Sequence, residues 1–271
     1  MQIGFDSSAI RPAIRILAIC ALAYLSGAAI LRAQQTSPAA PSAAPQMKTP
    51  AGPPIPANAA ETDWAALKRY SARNAALPPP TPGLPRIVFM GDSITEAWKG
   101  NGTPSNPPDP RFEMINRGIS GQTTPQMMLR FQADVLDLKP NIVVILAGTN
   151  DIAGNTGDMT EEEIEQNLAA MADTAHANGI RVVLCSILPS FNYPWKPGKK
   201  PAPKIVAINT WMKAYAESHG YTYVDFHTAM ADERGGLPPM LSGDGVHPTR
   251  AGFAVMTPLV EAGIARALSA Q

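Results

Sequence analysis

A serine that directly follows an apolar, strand-like run and a histidine with an aspartate three residues before it carry the most specific chemistry in this chain. Ser93 lies in Gly91-Asp92-Ser93-Ile94-Thr95, just after Arg86-Ile87-Val88-Phe89-Met90. A serine hydroxyl is a weak nucleophile until a base takes its proton. Of the four histidines, His176 and His219 fall in the last turns of expected helices, where a cation complements the dipole, and His227 follows the last strand-like run. His247 has a carboxylate three residues earlier, Asp244, with Gly245 allowing a tight turn between them. Ser93, His247 and Asp244 thus have the types required of nucleophile, base and orienting acid in acyl transfer. Taken alone, Ser242-Gly243-Asp244-Gly245-Val246-His247-Pro248 serves equally as a loop whose aspartate caps a turn.

Acyl transfer also needs donors aimed at a developing oxyanion. The candidates are the Ser93 N–H, the Gly121 N–H in Asn116-Arg117-Gly118-Ile119-Ser120-Gly121, and the Asn150 side-chain amide in Gly148-Thr149-Asn150-Asp151. Each has a purely structural alternative: Gly121 as a left-handed backbone position, Asn150 as an amide bracing its own loop. Asp92, Asn116 and Asp151 are expected to brace loops rather than touch substrate.

Five apolar runs are expected to be strands: Ile87 to Met90, Phe112 to Ile115, Ile142 to Ala147, Val182 to Leu188 and Tyr221 to Phe226. Helix signals lie between them. Thr124-Pro125 reads as a cap with a first-turn proline, Thr160 with Glu163 as a capping box, and apolar residues recur at helical spacing over 203–219 and 249–267. A short amphipathic helix capped by Asp63 is expected over 63–76, packed outside the core. Alternation of this kind implies an α/β fold: a doubly wound, open parallel sheet of about five strands with helices on both faces, a flavodoxin-like three-layer sandwich. Ligands of such sheets bind beyond the carboxyl ends of the strands, where Ser93, Gly121 and Asn150 each follow a separate strand. The Pro/Gly-rich stretches 99–110 and 190–203 are expected to overlie that rim, bringing polar Asn101, Asn106 and Asn192 near the entrance with Tyr193 and Trp195, aromatics that serve equally as anchors of their loop.

Residues 16–31 carry no charge and follow Arg11 and Arg15, so 1–33 is expected to be a signal peptide or membrane anchor. A lipid-modified cysteine is disfavoured, since Ile19 precedes Cys20 where a small residue is wanted. Pro, Ala and Ser dominate 34–60, a composition too poor in large apolar side chains to repay ordering, which leaves 61–271 as one catalytic domain. With 22 basic and 22 acidic residues the chain has no electrostatic footprint for nucleic acid. The histidines and acids lack metal-ligand spacing outside Asp244 and His247.

The order and spacing of these motifs resemble the SGNH hydrolase, or GDSL-type esterase, superfamily over most of 85–265. Carried over by position, the resemblance implies nucleophile Ser93, base His247, orienting acid Asp244 and oxyanion donors Ser93, Gly121 and Asn150. No cofactor and no metal are expected. Ile94-Thr95 stands where the family usually has leucine, a variant similar to its acetylhydrolase-like branches. No Gly-x-Ser-x-Gly elbow of the α/β-hydrolase kind is present. The expectation is an exported, periplasmic or secreted serine esterase, tethered by its N-terminus where the leader stays uncleaved, that takes short acyl groups from a small-molecule or glycan ester. A lysophospholipase or thioesterase for longer chains and a catalytically silent carbohydrate-binding domain are the alternatives. Oligomeric state is left open.

Overall fold

The computed structural model describes residues 63–98 and 109–270. Residues 1–62, on which the expected leader and linker fall, and most of the 99–110 stretch, with Asn101 and Asn106, lie outside the described residues. Five strands, β1 (Arg86–Gly91), β2 (Glu113–Gly118), β3 (Ile142–Leu146), β4 (Arg181–Cys185) and β5 (Thr222–Val224), form one parallel sheet in the order β2-β1-β3-β4-β5. That order reverses direction beside β1, giving the switch point of the flavodoxin-like arrangement.

Side chains alternate across the sheet with period two. Val88, Met90, Val143, Ile145, Val182 and Leu184 pack with apolar residues of α3 (Thr124–Asp134), α5 (Glu161–Ala177) and α6 (Pro201–His219). Ile87, Phe89, Ile142, Val144, Val183 and Cys185 join the other cluster, under α8 (Arg250–Ser269) and the short α2 (Ser93–Ala97) and α7 (Phe226–Met230). The sheet is thus buried on both faces, as the uninterrupted apolar runs of β1 and β3 require. By length and composition α8 could cross a membrane, but here Met256, Val260, Ile264 and Ala267 are buried in the second cluster.

Register brings the site together. Gly91 is paired with Gly118 on one side and with Leu146 on the other, so β1, β2 and β3 end level. The segments leaving them carry Ser93, Gly121 and Asn150. A Cβ on Gly118 would lie 2.3 Å from the Glu96 nitrogen, so only glycine lets β2 approach α2 this closely.

Several boundaries differ from the sequence reading. Residues 63–76 form turns followed by a single short helix, α1 (Ser71–Ala75), because Ala66 adopts a left-handed φ of 54° that no continuous helix allows. Asp63 still accepts the N–H groups of Leu67 and Lys68, each at 2.7 Å. Nor does this segment lie outside the core: Ala65 and Tyr70 are buried, and the Tyr70 hydroxyl donates to the Gly118 carbonyl. The cap of α3 is Thr123, one residue earlier than expected, whose N–H donates to Gln126 Oε1 at 3.0 Å. Strand β4 stops at Cys185, because the Ser186 hydroxyl turns to accept the N–H groups of Phe226 and His227, both at 2.9 Å. The capping box of Thr160 with Glu163 forms as expected.

Candidate active site

Ser93 is the first residue of α2, and helix geometry leaves its N–H without an intrahelical acceptor. Asp92 caps the helix, its Oδ1 accepting the Ile94 N–H at 2.9 Å. Asp92 is buried almost completely, and that burial raises its carboxyl pKa to about 7 against the hydrogen bond from Ile94 and the attraction of His247. A carboxyl whose folded value lies above its ordinary 3.8 binds protons more tightly in the folded state, so the stability contributed by this group falls as pH rises from about 4 to about 7.

Asp244 and His247 sit on a loop that closes on itself: Thr249 N–H donates to the Leu241 carbonyl at 2.8 Å, and Ser242 bridges Pro248. Gly245, at φ 80°, supplies the turn between them. The Asp244 carboxylate meets His247 Nδ1 through Oδ2 at 2.6 Å, while its Oδ1 accepts the N–H groups of Val246 (2.9 Å) and His247 (2.8 Å). Partial burial would raise the pKa of this carboxyl, but the His247 imidazole and the two backbone donors outweigh it and hold the value down at about 2. The other imidazole nitrogen, Nε2, lies 2.9 Å from Ser93 Oγ. Residues 154 positions apart are thereby joined in a line of carboxylate, imidazole and hydroxyl. Such a line can move a proton from the hydroxyl to Nε2 while the carboxylate stabilises the imidazolium.

Gly121 has φ 77°, and among the described residues its N–H meets no acceptor. Asn150 begins the second residue of α4 (Thr149–Ala153) and is buried; its Nδ2 donates to the Gln122 carbonyl at 3.0 Å and lies 3.4 Å from Asp92 Oδ2. One Asn150 N–H is therefore used in bracing. The other faces Asp92 Oδ2 in the long 3.4 Å contact. Asp92, Asn116 and Asp151 brace loops, as expected: Asn116 binds the Thr95 carbonyl and the Gly118 N–H, and Asp151 accepts the Thr124 N–H.

Behind the site lies Arg130, an α3 residue that is 0 % exposed. Its guanidinium donates to Gln122 Oε1 (2.6 Å), the Arg117 carbonyl (2.7 Å), Asp134 Oδ2 (3.0 Å) and the Gly91 carbonyl (3.0 Å). It thus ties the ends of β1 and β2 to the loop carrying Gly121. The sequence reading missed it, although Arg130 and Asp134 at i and i+4 among Met127 and Phe131 is the pattern of an ion pair on a buried helix face. Asn155 was missed too; it donates to Asn150 and is bonded by Trp195. Among the described residues no group of three or more His, Cys, Asp or Glu is placed to hold a metal ion.

Residues 89–255 match the model of the GDSL-like lipase/acylhydrolase family. A GDSL-like lipase structure from Bacteroides thetaiotaomicron is 42% identical, with a TM-score of 0.68, covering 75% of this chain and 98% of that one. Esterase TesA of Pseudomonas aeruginosa is 31% identical over 144 residues, 52% of this chain and 63% of its own length. Acetylxylan esterase of Xylanibacter ruminicola is 24% identical over 222 residues, 70% of this chain and 45% of the relative. The chain thus spans less than two thirds of either curated relative. With the family model covering most of the sheet, the serine and the histidine loop, the chain belongs to the GDSL-like lipase/acylhydrolase family.

Proposed function

We propose that the protein is an exported serine esterase that removes short acyl groups, acetyl foremost, from a soluble carrier such as a carbohydrate. Ser93 Oγ attacks the ester carbonyl as its proton passes to His247 Nε2; the carbonyl oxygen, now negative, is held by the Ser93 N–H, the Gly121 N–H and Asn150 Nδ2. The alkoxide leaves with the proton from His247, and water repeats the sequence on the acyl-enzyme, releasing the acid and restoring the serine. Asp244 stays ionised and keeps Nε2 free to accept. The observation that carries this reading is the 2.9 Å approach of Ser93 Oγ to His247 Nε2, with Asp244 at 2.6 Å on the opposite nitrogen.

Two observations favour a sugar ester. Trp195 is 39 % exposed with its ring centroid 6.1 Å from that of His247, a surface suited to stacking on a sugar. Polar Asn155 accepts the Trp195 indole N–H, and Asn192 lies close to the Gly245 turn. The aligned acetylxylan esterase supports the same substrate class. Across aryl or sugar esters from acetate to octanoate, kcat/KM should be highest for acetate and fall with length. A buried acyl pocket would instead gain up to about 0.8 kcal/mol per methylene, so efficiency rising toward octanoate would replace this preference with a lysophospholipase or thioesterase activity.

Export rests on Arg11, Arg15 and the uncharged run 16–31. Removing residues 1–60 should leave an active, soluble enzyme in the cytosol of an expressing cell, because every residue assigned a chemical role lies downstream. Loss of activity in that truncated protein would move the domain boundary; export of it would refute the leader.

A further inference from the structure

We propose that Asn155 is a positioning residue that fixes the orientation of the oxyanion donors at Gly121 and Asn150 and couples them to Trp195 beside His247. The inference rests on the assignment of Gly121 and Asn150 as oxyanion donors made above.

The position follows from the backbone. Helix α4 ends at Gly154, whose left-handed φ of 74° turns the chain back so that the Asn155 N–H donates to the Asn150 carbonyl at 3.0 Å. The Asn155 side chain then meets three groups from three segments. Its Nδ2 lies 2.9 Å from Asn150 Oδ1 and 3.2 Å from the Gly121 carbonyl oxygen, and its Oδ1 lies 3.1 Å from Trp195 Nε1.

These partners leave no freedom in the amide orientations. An indole nitrogen only donates, so the Asn155 atom facing Trp195 is oxygen; a backbone carbonyl only accepts, so the atom facing Gly121 is nitrogen. Asn150 must in turn show Oδ1 to Asn155, which sends its Nδ2 toward the Gln122 carbonyl and the Asp92 side of the site. A flipped Asn150 would set two N–H donors against each other at Asn155 and present an oxygen to the oxyanion. Preorganised dipoles stabilise a transition state only when they already point the right way. Gly121 has no side chain to anchor it, and the bond to its carbonyl restrains the peptide on one side of it. Asn155 does not itself have to touch substrate to do this. Trp195, whose ring lies beside His247 and 5.2 Å from Tyr193, supplies the fixed donor at the far end.

The test is steady-state kinetics on an acetyl ester for Asn155→Ala, Asn155→Asp, Trp195→Phe, Asn150→Ala and the Asn150→Ala/Asn155→Ala pair, with thermal unfolding of each. Asn155→Ala should lower kcat about 10-fold with KM within about 2-fold, the scale of one lost orienting hydrogen bond. Asn155→Asp keeps the shape and the acceptor for Trp195 but loses the donor, and should lose at least as much kcat at an unchanged unfolding midpoint. Trp195→Phe, which keeps a ring beside His247 but removes the N–H, should also lower kcat. Asn150→Ala should lower kcat about 10²- to 10³-fold, and adding Asn155→Ala to it should cost less than about 3-fold more, since the amide to be oriented is gone. Unchanged kcat in Asn155→Ala or Asn155→Asp, a change confined to KM, or full multiplication of the two losses in the pair would overturn the positioning role while leaving the Asn150 assignment intact. Full activity in Asn150→Ala would overturn the oxyanion assignment and the positioning role with it.

Discussion

Ser93→Ala is expected to reduce ester hydrolysis by about 10⁶-fold in kcat, the scale on which nucleophile loss acts in serine hydrolases. Without Oγ no acyl-enzyme forms, and what remains is the effect of binding and of the oxyanion donors on attack by water. The change removes one atom from a half-buried residue at the start of α2, and Asp92 keeps its capping bond to Ile94, so the fold should be unaffected. Rates on an acetyl ester, alongside labelling by an organophosphonate probe with mass detection, measure both the reaction and its site. More than about 1% residual activity, far above the loss expected for a nucleophile, or labelling that persists in the variant, would take the nucleophile's role from Ser93.

Asp244→Asn should cost about 10⁴-fold in kcat, with little change in folding. The carboxylate holds a proton on His247 Nδ1 and so leaves Nε2 unprotonated 2.9 Å from Ser93 Oγ. An asparagine in its place can turn its N–H₂ to Nδ1, which puts the proton on Nε2 and blocks acceptance from serine. The pH profile of the unsubstituted enzyme carries a related expectation. With the Asp244 carboxyl held at about 2, it is still ionised at pH 4, so any acid limb above that pH arises from protonation of another group. The sign for stability is the opposite of that at Asp92: a depressed carboxyl stabilises the fold above its ordinary value of 3.8, and that contribution is lost as pH falls toward 2. Wild-type kcat in Asp244→Asn would remove Asp244 from the proton-transfer line.

The central strands and the segment 63–76 show why some of the fold was legible and some was not. Strands β1 and β3 are runs of Val, Ile, Leu, Phe and Met bounded by glycine and polar turns, and burial on both faces is what such runs require. The capping box at Thr160 is equally local, because all its partners lie within four residues. Residues 63–76 carry the same kind of amphipathic pattern, yet they form a strap. Their hydrogen bonds go to distant groups: Ala65 O to Gln122, Trp64 O to Gln126 and Tyr70 to Gly118. A periodic pattern cannot reveal a bond to a residue about fifty positions away.

The site divides along the same line. Residue type and spacing determined the candidates Ser93, Gly121, Asn150, Asp244 and His247, because acyl transfer tolerates few side chains in each role and a parallel sheet sends successive strand ends to one rim. Only tertiary structure decided how they are held. Level ends of β1, β2 and β3 follow from interstrand register, which sequence periodicity leaves free to slip. The 2.9 Å contact between Ser93 and His247 joins opposite ends of the domain, and a fully buried Arg130 at the back of the site is stable only because four acceptors from four segments converge on it. Asn155 is the sharpest case: as a single exposed asparagine in a glycine-rich turn it has no distinguishing pattern, and its role arises from the three partners that the fold brings to its amide.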